Sequence, residues 1–484
     1  METHGKAGKV KRFYDPHCHV FELSHPGLLL FIMRAVKELG IGPKDGKGKT
    51  NWCFFLVLIL LLIIQVFGII LLINCKTHTW IPIVLSCIGV FDLALVTLLL
   101  GIITAIYSIF VPISRHDKLP AILTCLFNVC PTLKRMFNTL ALFENDIGEQ
   151  LLLMENDFNK DKQHKLHIND DSYEQLVLTP LILDFGEKGR YPIKAAYQHF
   201  ARKPIENQVL DLFNGILRYY QEGQPIGHSN LHKFLEIYPF LGINTRNYPL
   251  HANKQSTGVV DLLEKYFSNY EPDPQRLSQT IRTFDGNIAN MRSNFFAGIK
   301  LYPPLGFDPE PDAAKEGDER EKTEWLFQFC QDHNIPITFH CSNGGFQVAE
   351  CQVALRNADP RRWRAVLERY PRLKINFAHF GGDIRYPNEN WSWSQEIMEI
   401  MQKFPNVYTD FAFGGSDPRY YDTIYKRLKK NPVLIERLLF GSDFSIVLLK
   451  TDSYAEYYSL FTHSKLARKY TAQLVANAER FLFG

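Results

Sequence analysis

The chain has 484 residues, a formal net charge of +3 and 22% charged residues, a balance too even for a basic nucleic-acid-binding arm or an acidic disordered tail. Nine cysteines, odd in number and irregular in spacing, exclude a disulfide framework and agree with a reducing compartment. The length exceeds the ~250 residues of a parallel α/β barrel, so one sizeable enzyme domain carrying an insertion accounts for it better than a string of modules.

The first apolar approach, Phe13-Tyr14, runs into Asp15-Pro-His17-Cys-His19. Alternate residues of a strand share a face, so His17 and His19 aim two imidazoles at one point, as a metal site requires, while Cys18 points away into packing. Pro26 to Leu39, opening on His25-Pro26, reads as a first barrel helix.

Trp52 to Ile73 is uncharged and interrupted only by Gln65, which predicts a transmembrane helix, since roughly 20 helical residues cross a bilayer core. Trp80 to Ile113, broken only by Asp92, predicts a second crossing, with Asp92 at an interface because a carboxylate in mid-membrane is costly. Lys37, Lys44, Lys47 and Lys49 before the hairpin and Arg115 and Lys118 after it outweigh Lys76 in the intervening loop. The positive-inside rule therefore predicts a two-helix, multi-pass membrane protein with the catalytic domain and both termini in the cytoplasm. The polar start Met-Glu-Thr-His-Gly speaks against a cleaved signal. Ala121 to Phe143 reads either as an interfacial helix or as one packed on the barrel, and Glu155 to Asp171 as a linker with a solvated His164-x-x-His167.

Strand-like runs then recur: Leu176 to Asp184, Leu235 to Gly242, Phe296 to Tyr302, Ile335 to Phe339, Leu373 to Ala378, Asn406 to Asp410 and Leu438 to Ser442. Helix-like patterns lie between the later ones, at Glu321 to His333, Pro360 to Tyr370, Trp393 to Phe404 and Ser416 to Lys430. With the first strand the count is eight, which predicts an α/β fold, a (β/α)8 TIM barrel with a transmembrane helical hairpin inserted between strands 1 and 2. The expected organisation is 1–50 for strand 1 and the first helix, 51–115 for the hairpin, 116–174 for an interfacial or linker segment and 175–484 for the rest of the barrel. His340, His379 and Asp443 directly follow strands 5, 6 and 8, where a parallel barrel gathers its chemistry.

In order, His17-x-His19 on strand 1, Lys300 on strand 4, His340 on strand 5, His379 on strand 6 and Asp443 on strand 8 resemble the amidohydrolase superfamily. Ala297-Gly-Ile-Lys-Leu-Tyr-Pro-Pro-Leu-Gly306, Phe377-Ala-His-Phe-Gly-Gly382 and Asn477-Ala-Glu-Arg-Phe-Leu482 resemble its branch of metal-dependent hydrolases that includes amino-carboxymuconate-semialdehyde decarboxylase. The resemblance implies that His17, His19, Asp443 and His340 hold a divalent metal, zinc being expected over manganese. It implies one ion, or two if Lys300 is carboxylated and bridges them. It further implies that Asp443 moves the proton of an activated water and that His379 orients water or steadies negative charge. Lys300, Tyr302 and Arg385 are candidate substrate contacts, with Asp410 beside them at the rim.

The function expected is a membrane-anchored metal-dependent hydrolase acting on an amide, ester or lactone. A non-oxidative decarboxylase of the same branch is the alternative, and a membrane-anchored scaffold without catalysis a third. Expected partners are a small-molecule substrate and the lipid bilayer, with no nucleic acid; a homo-oligomer is left open. The hairpin borders the active-site mouth if it grows directly from the loop after strand 1, where it could admit a lipophilic substrate. If Pro26 to Leu39 is the first barrel helix, the reading preferred, it leaves from the opposite rim as an anchor.

Overall fold

The computed structural model describes residues 10–27, 31, 131–158, 165–186, 203–222, 233–254, 256–382, 384 and 389–484. The chain divides into two compact units, residues 35–141, and 1–34 together with 142–484. The second holds the barrel.

Its strands are β1 (Arg12–Cys18), β2 (Leu166–Ile168), β3 (Asp171–Tyr173), β4 (Gln175–Pro180), β5 (Leu235–Ile237), β6 (Phe240–Gly242), β7 (Gly298–Leu301), β8 (Ile337–Phe339), β9 (Ile375–Phe377), β10 (Val407–Asp410) and β11 (Leu438–Leu439). Parallel pairing runs β1-β4-β5 in one ladder and β6-β7-β8-β9-β10-β11 in the other. A bridge between Leu181 and Phe240 joins them. β5 and β6 are one barrel strand interrupted at Tyr238-Pro239, where proline has no N–H to give. Tyr238 N still donates to Leu178 O at 2.8 Å, and Pro239 O accepts from Ala297 N at 2.8 Å, so both neighbours stay attached. Counted this way, eight barrel strands are present among the described residues, in the order read from the sequence. Nearly all their residues are buried, as expected where side chains fill the barrel inside and helices cover it outside.

Thirteen helices are described: α1 (Pro131–Glu144), α2 (Ile147–Phe158), α3 (Ile205–Gln221), α4 (Val259–Phe267), α5 (Pro274–Ile281), α6 (Gly317–Asp332), α7 (Cys351–Ala358), α8 (Trp363–Arg369), α9 (Glu389–Lys403), α10 (Pro418–Lys430), α11 (Pro432–Glu436), α12 (Tyr454–Thr462) and α13 (Lys465–Phe483). Their starts follow from capping chemistry. Asp273 and Asp417 each precede a proline and accept from a backbone N–H two or three residues on, and Ser453 and Ser464 accept from Glu456 N and Ala467 N, both at 3.0 Å. The last helix packs on β1 and α10, and Asn477, fully buried within it, donates to Leu438 O at 2.9 Å and Ile435 O at 2.7 Å. That is the structural content of the closing Asn-Ala-Glu-Arg-Phe-Leu segment.

The interval read as a linker contains the end of α2 and the antiparallel ribbon β2–β3, turned by Asn169 at φ 55°. His167 lies exposed on that ribbon, and His164 lies outside the described residues. The membrane expectation is corrected. Trp52 to Ile73 and Trp80 to Ile113 both lie outside the described residues, and among those described no helix is long and apolar enough to cross a membrane. The multi-pass, cytoplasm-facing placement thus finds no support among the described residues, and the anchored enzyme, the bilayer partner and the inserted transmembrane hairpin rest on segments outside them. Most of the first barrel helix read at Pro26 to Leu39 is likewise outside the described residues.

Candidate active site

Strand β1 brings His17 and His19 to the C-terminal end of the barrel with Cys18 turned into the core, as strand alternation requires. His17 Nδ1 is 2.8 Å from Asp410 Oδ2 and His19 Nδ1 is 2.7 Å from Leu181 O. Each Nδ1 is thereby occupied, and each ring presents Nε2 to the interior. There both meet the same atom: Asp443 Oδ1 is 3.4 Å from His17 Nε2 and 3.3 Å from His19 Nε2. Two donors each about 2.1 Å from one cation stand roughly 3.0–3.4 Å apart, so these separations suit a shared divalent ion. His17 Nε2 is buried and has no hydrogen-bond partner among the described residues, as expected of an atom reserved for a metal. The donor set of two imidazoles and a carboxylate, with the outer nitrogens held by a carboxylate and a carbonyl, fits the group.

Burial sets the protonation that a metal needs. It lowers the pKa of His19, so that ring stays neutral. Burial also opposes a charged His17, but the Asp410 carboxylate against Nδ1 outweighs it and raises that pKa. Burial alone would raise Asp443; the His17 and His19 imidazoles drawn up to its oxygen hold it well below the usual carboxylate range instead. Asp443 adopts φ 59°, in the left-handed region, and its N–H donates to His17 O at 2.9 Å.

His379 and His340 form the adjoining wall. His379 Nε2 is 3.2 Å from His340 Nδ1, and His379 Nδ1 is 3.1 Å from Ala412 O. The carbonyl demands a proton on His379 Nδ1, which leaves its Nε2 as an acceptor facing His340. His340 Nε2 lies 3.0 Å from the Ser342 hydroxyl and 3.3 Å from Gly344 O. Burial lowers both rings, His379 to about 4 and His340 well below the usual range, so both are neutral. His340 thus adjoins the trio of His17, His19 and Asp443 but directs Nδ1 at His379. It is not one of the three residues whose ligand atoms converge.

Lys300 is 1% exposed and its Nζ has no hydrogen-bond partner among the described residues. Burial lowers its pKa to about 8, against the pull of Asp410 and Asp443. Tyr302 packs its ring on His340 at 4.5 Å between centroids, and its oxygen accepts from Phe346 N at 2.8 Å, which fixes the loop after β8. Gly345 there adopts φ 102°, and a Cβ on it would lie 2.3 Å from the Tyr302 oxygen, so only glycine lets that loop close. Arg385 lies outside the described residues.

Asp410, a rim candidate for which barrel packing is the commoner role, lies against His17. It is fully buried beneath the site and does not stand at the rim. It accepts from Asn376 Nδ2 at 2.7 Å, His379 N at 2.8 Å and Ala412 N at 3.0 Å besides holding His17. These contacts keep it ionised despite burial. Its position at the end of a strand was the available signal. Aromatic rings border His19: Phe21 is 4.8 Å from Phe143, where the chain returns through α1, and 5.6 Å from Phe346. Phe143 also meets Phe31 at 5.3 Å, and its carbonyl accepts from Leu23 N at 3.0 Å. A further group, Glu22, His25 and Asp211, has Lys203 paired to both carboxylates, so positive charge is already supplied there.

The family model described as amidohydrolase matches residues 271–483. No curated protein matches the sequence. Among solved structures, an uncharacterised TIM-barrel protein from Bordetella bronchiseptica is 16% identical, with 64% of this chain and 77% of that one covered and a TM-score of 0.33. A probable 2-pyrone-4,6-dicarboxylic acid hydrolase from Acinetobacter baumannii is 10% identical over 70% and 88%, TM-score 0.38. A 5-carboxyvanillate decarboxylase from Novosphingobium aromaticivorans, complexed with manganese, is 10% identical over 74% and 85%, TM-score 0.37.

Proposed function

We propose that this chain, whose residues 271–483 match the amidohydrolase family model, is a metal-dependent enzyme that hydrolyses an amide, ester or lactone. The observation that carries this reading is the approach of one carboxylate oxygen, Asp443 Oδ1, to both inward-facing imidazole nitrogens at 3.4 and 3.3 Å. His17, His19 and Asp443 would hold a single divalent cation, with His340 adjoining. The nitrogen and oxygen donors suit zinc or manganese. Such a cation supplies Lewis acidity, lowering the pKa of water and polarising a substrate carbonyl.

The chain's own residues do the rest. Asp443 takes the proton released by water and returns it to the leaving group. His379, kept neutral beside His17, orients the water once its Nε2 is released from His340. Lys300 presents positive charge in a dry site, where it steadies an anionic oxygen of the substrate. Asp410 keeps His17 in the tautomer that turns Nε2 inward.

One observation favours a second reading, non-oxidative decarboxylation: the buried, hydrogen-bond-free ammonium of Lys300 is also a receptor for a substrate carboxylate. Protein reconstituted with zinc or manganese and screened over lactones, amides, esters and aromatic carboxylates in 18O-labelled water separates the two. Hydrolysis gives labelled product and no carbon dioxide. Carbon dioxide without label in the organic product would replace it by decarboxylation.

A further inference from the structure

Around most of the barrel, adjacent strands are joined by ladders, but no ladder among the described residues joins β11 to β1. This seam carries two of the three converging side chains on one side and the third on the other. It is closed by isolated bonds. His17 O accepts from Ser442 N at 3.1 Å and from Asp443 N at 2.9 Å, and His19 N donates to Phe444 O. The Asp15 side chain supplies the remainder. Its Oδ1 accepts from Ser442 N at 3.0 Å and from His17 N at 3.3 Å, so one oxygen binds the backbone of both ligand-bearing segments. Its Oδ2 accepts from the Tyr454 hydroxyl at 2.7 Å, at the start of α12. Tyr457, on the same helix, donates to Gly441 O at 2.7 Å, and a Cβ on Gly441 would stand 3.0 Å from that of His17.

A buried carboxylate is costly unless several donors face it, and three do here. Packing alone gives no reason for an ionisable group at this point. We propose that Asp15 is a positioning residue: anchored by Tyr454, its carboxylate clasps β1 to the Ser442-Asp443 segment and so makes His17, His19 and Asp443 converge. The clasp rests on the metal site proposed above, but its own bonds exist without a cation.

The test uses the full chain and two readouts, hydrogen exchange of the metal-free protein and Mn2+ affinity by competition with a chelator. In D15A the segments 12–19 and 438–446 should exchange tenfold or more faster, on the order expected when local bonds are lost, while β7 and β8 keep their protection. Mn2+ affinity should fall about 10–100-fold, the usual effect of removing a group that orients ligands. D15N should recover most of both, since its amide oxygen can accept at Oδ1 and its N–H can donate to the Tyr454 oxygen. Y454F should move both readouts the same way by less, and it decides the matter if D15A does not fold. Unchanged exchange at Ser442 and Asp443 in folded D15A and Y454F, or a loosened seam with unchanged Mn2+ affinity, would overturn the clasp. If the wild-type chain takes up no Mn2+, the metal reading falls and the exchange comparison alone decides on Asp15.

Discussion

Asp410 and Lys300 show what a single side chain contributes here. Asp410→Asn keeps the size of the group but removes the charge that holds the His17 Nδ1 proton, so metal affinity should fall about 10–100-fold with an unchanged far-ultraviolet spectrum. A chelator titration that returns the wild-type constant would refute this. Lys300→Met removes a buried charge with no hydrogen-bond partner, so the protein should be at least as stable in urea while its kcat/KM falls by two orders of magnitude or so. A destabilised but fully active variant would show that the lysine serves the fold and not the substrate. At this scale the sequence was partly legible. His17, His19 and Asp443 announce themselves by spacing and by their place after strands. The depth of Asp410 does not, because whether a strand's last residue points under or over the site depends on register and twist, which no local pattern encodes.

Elements were read best where one period dominates. The barrel strands and the helices α6, α8, α9 and α10 lie close to where apolar spacing puts them. The break at Pro239 was passed over because a continuous apolar run outweighs one proline, and the β2–β3 ribbon because three-residue strands in a polar stretch carry no period. Asn477 illustrates how an element can be fixed by one polar contact. Asn477→Ala leaves Ile435 O and Leu438 O without this donor beneath β11 and should cost about 2–6 kcal/mol, at 1–3 for each carbonyl. Urea denaturation measures it, and a loss under about 0.5 kcal/mol would mean that the contact is incidental. Gly441→Ala tests the seam from the other side: Ala412 and His17 must give way to the new methyl, so both metal retention and the unfolding midpoint should drop.

Across the whole molecule, burial governs the response to alkali. Tyr421, Tyr454, Tyr457 and Tyr458 form a connected, buried group, and burial raises the pKa of each above the ordinary phenol value of 10. A raised folded pKa means stability that is complete below about pH 10 and is lost as the pH climbs, since the unfolded chain then releases protons the folded one retains. Ionisation of these phenols, followed by ultraviolet absorbance, should coincide with the loss of circular dichroism. Complete, reversible titration of all 22 tyrosines with the spectrum intact would contradict it. The barrel was legible at this scale from eight spaced runs, whereas the membrane placement, read from two apolar stretches outside the described residues, has no counterpart among the described helices. Apolar content says that a segment avoids water without saying what covers it.

The long excursion that departs after Phe31 comes home by resting Phe143 on Phe21, two positions past His19. A trimmed chain that sacrifices Phe143 therefore strips Phe21, next along the strand face from His19, of the ring that rests on it.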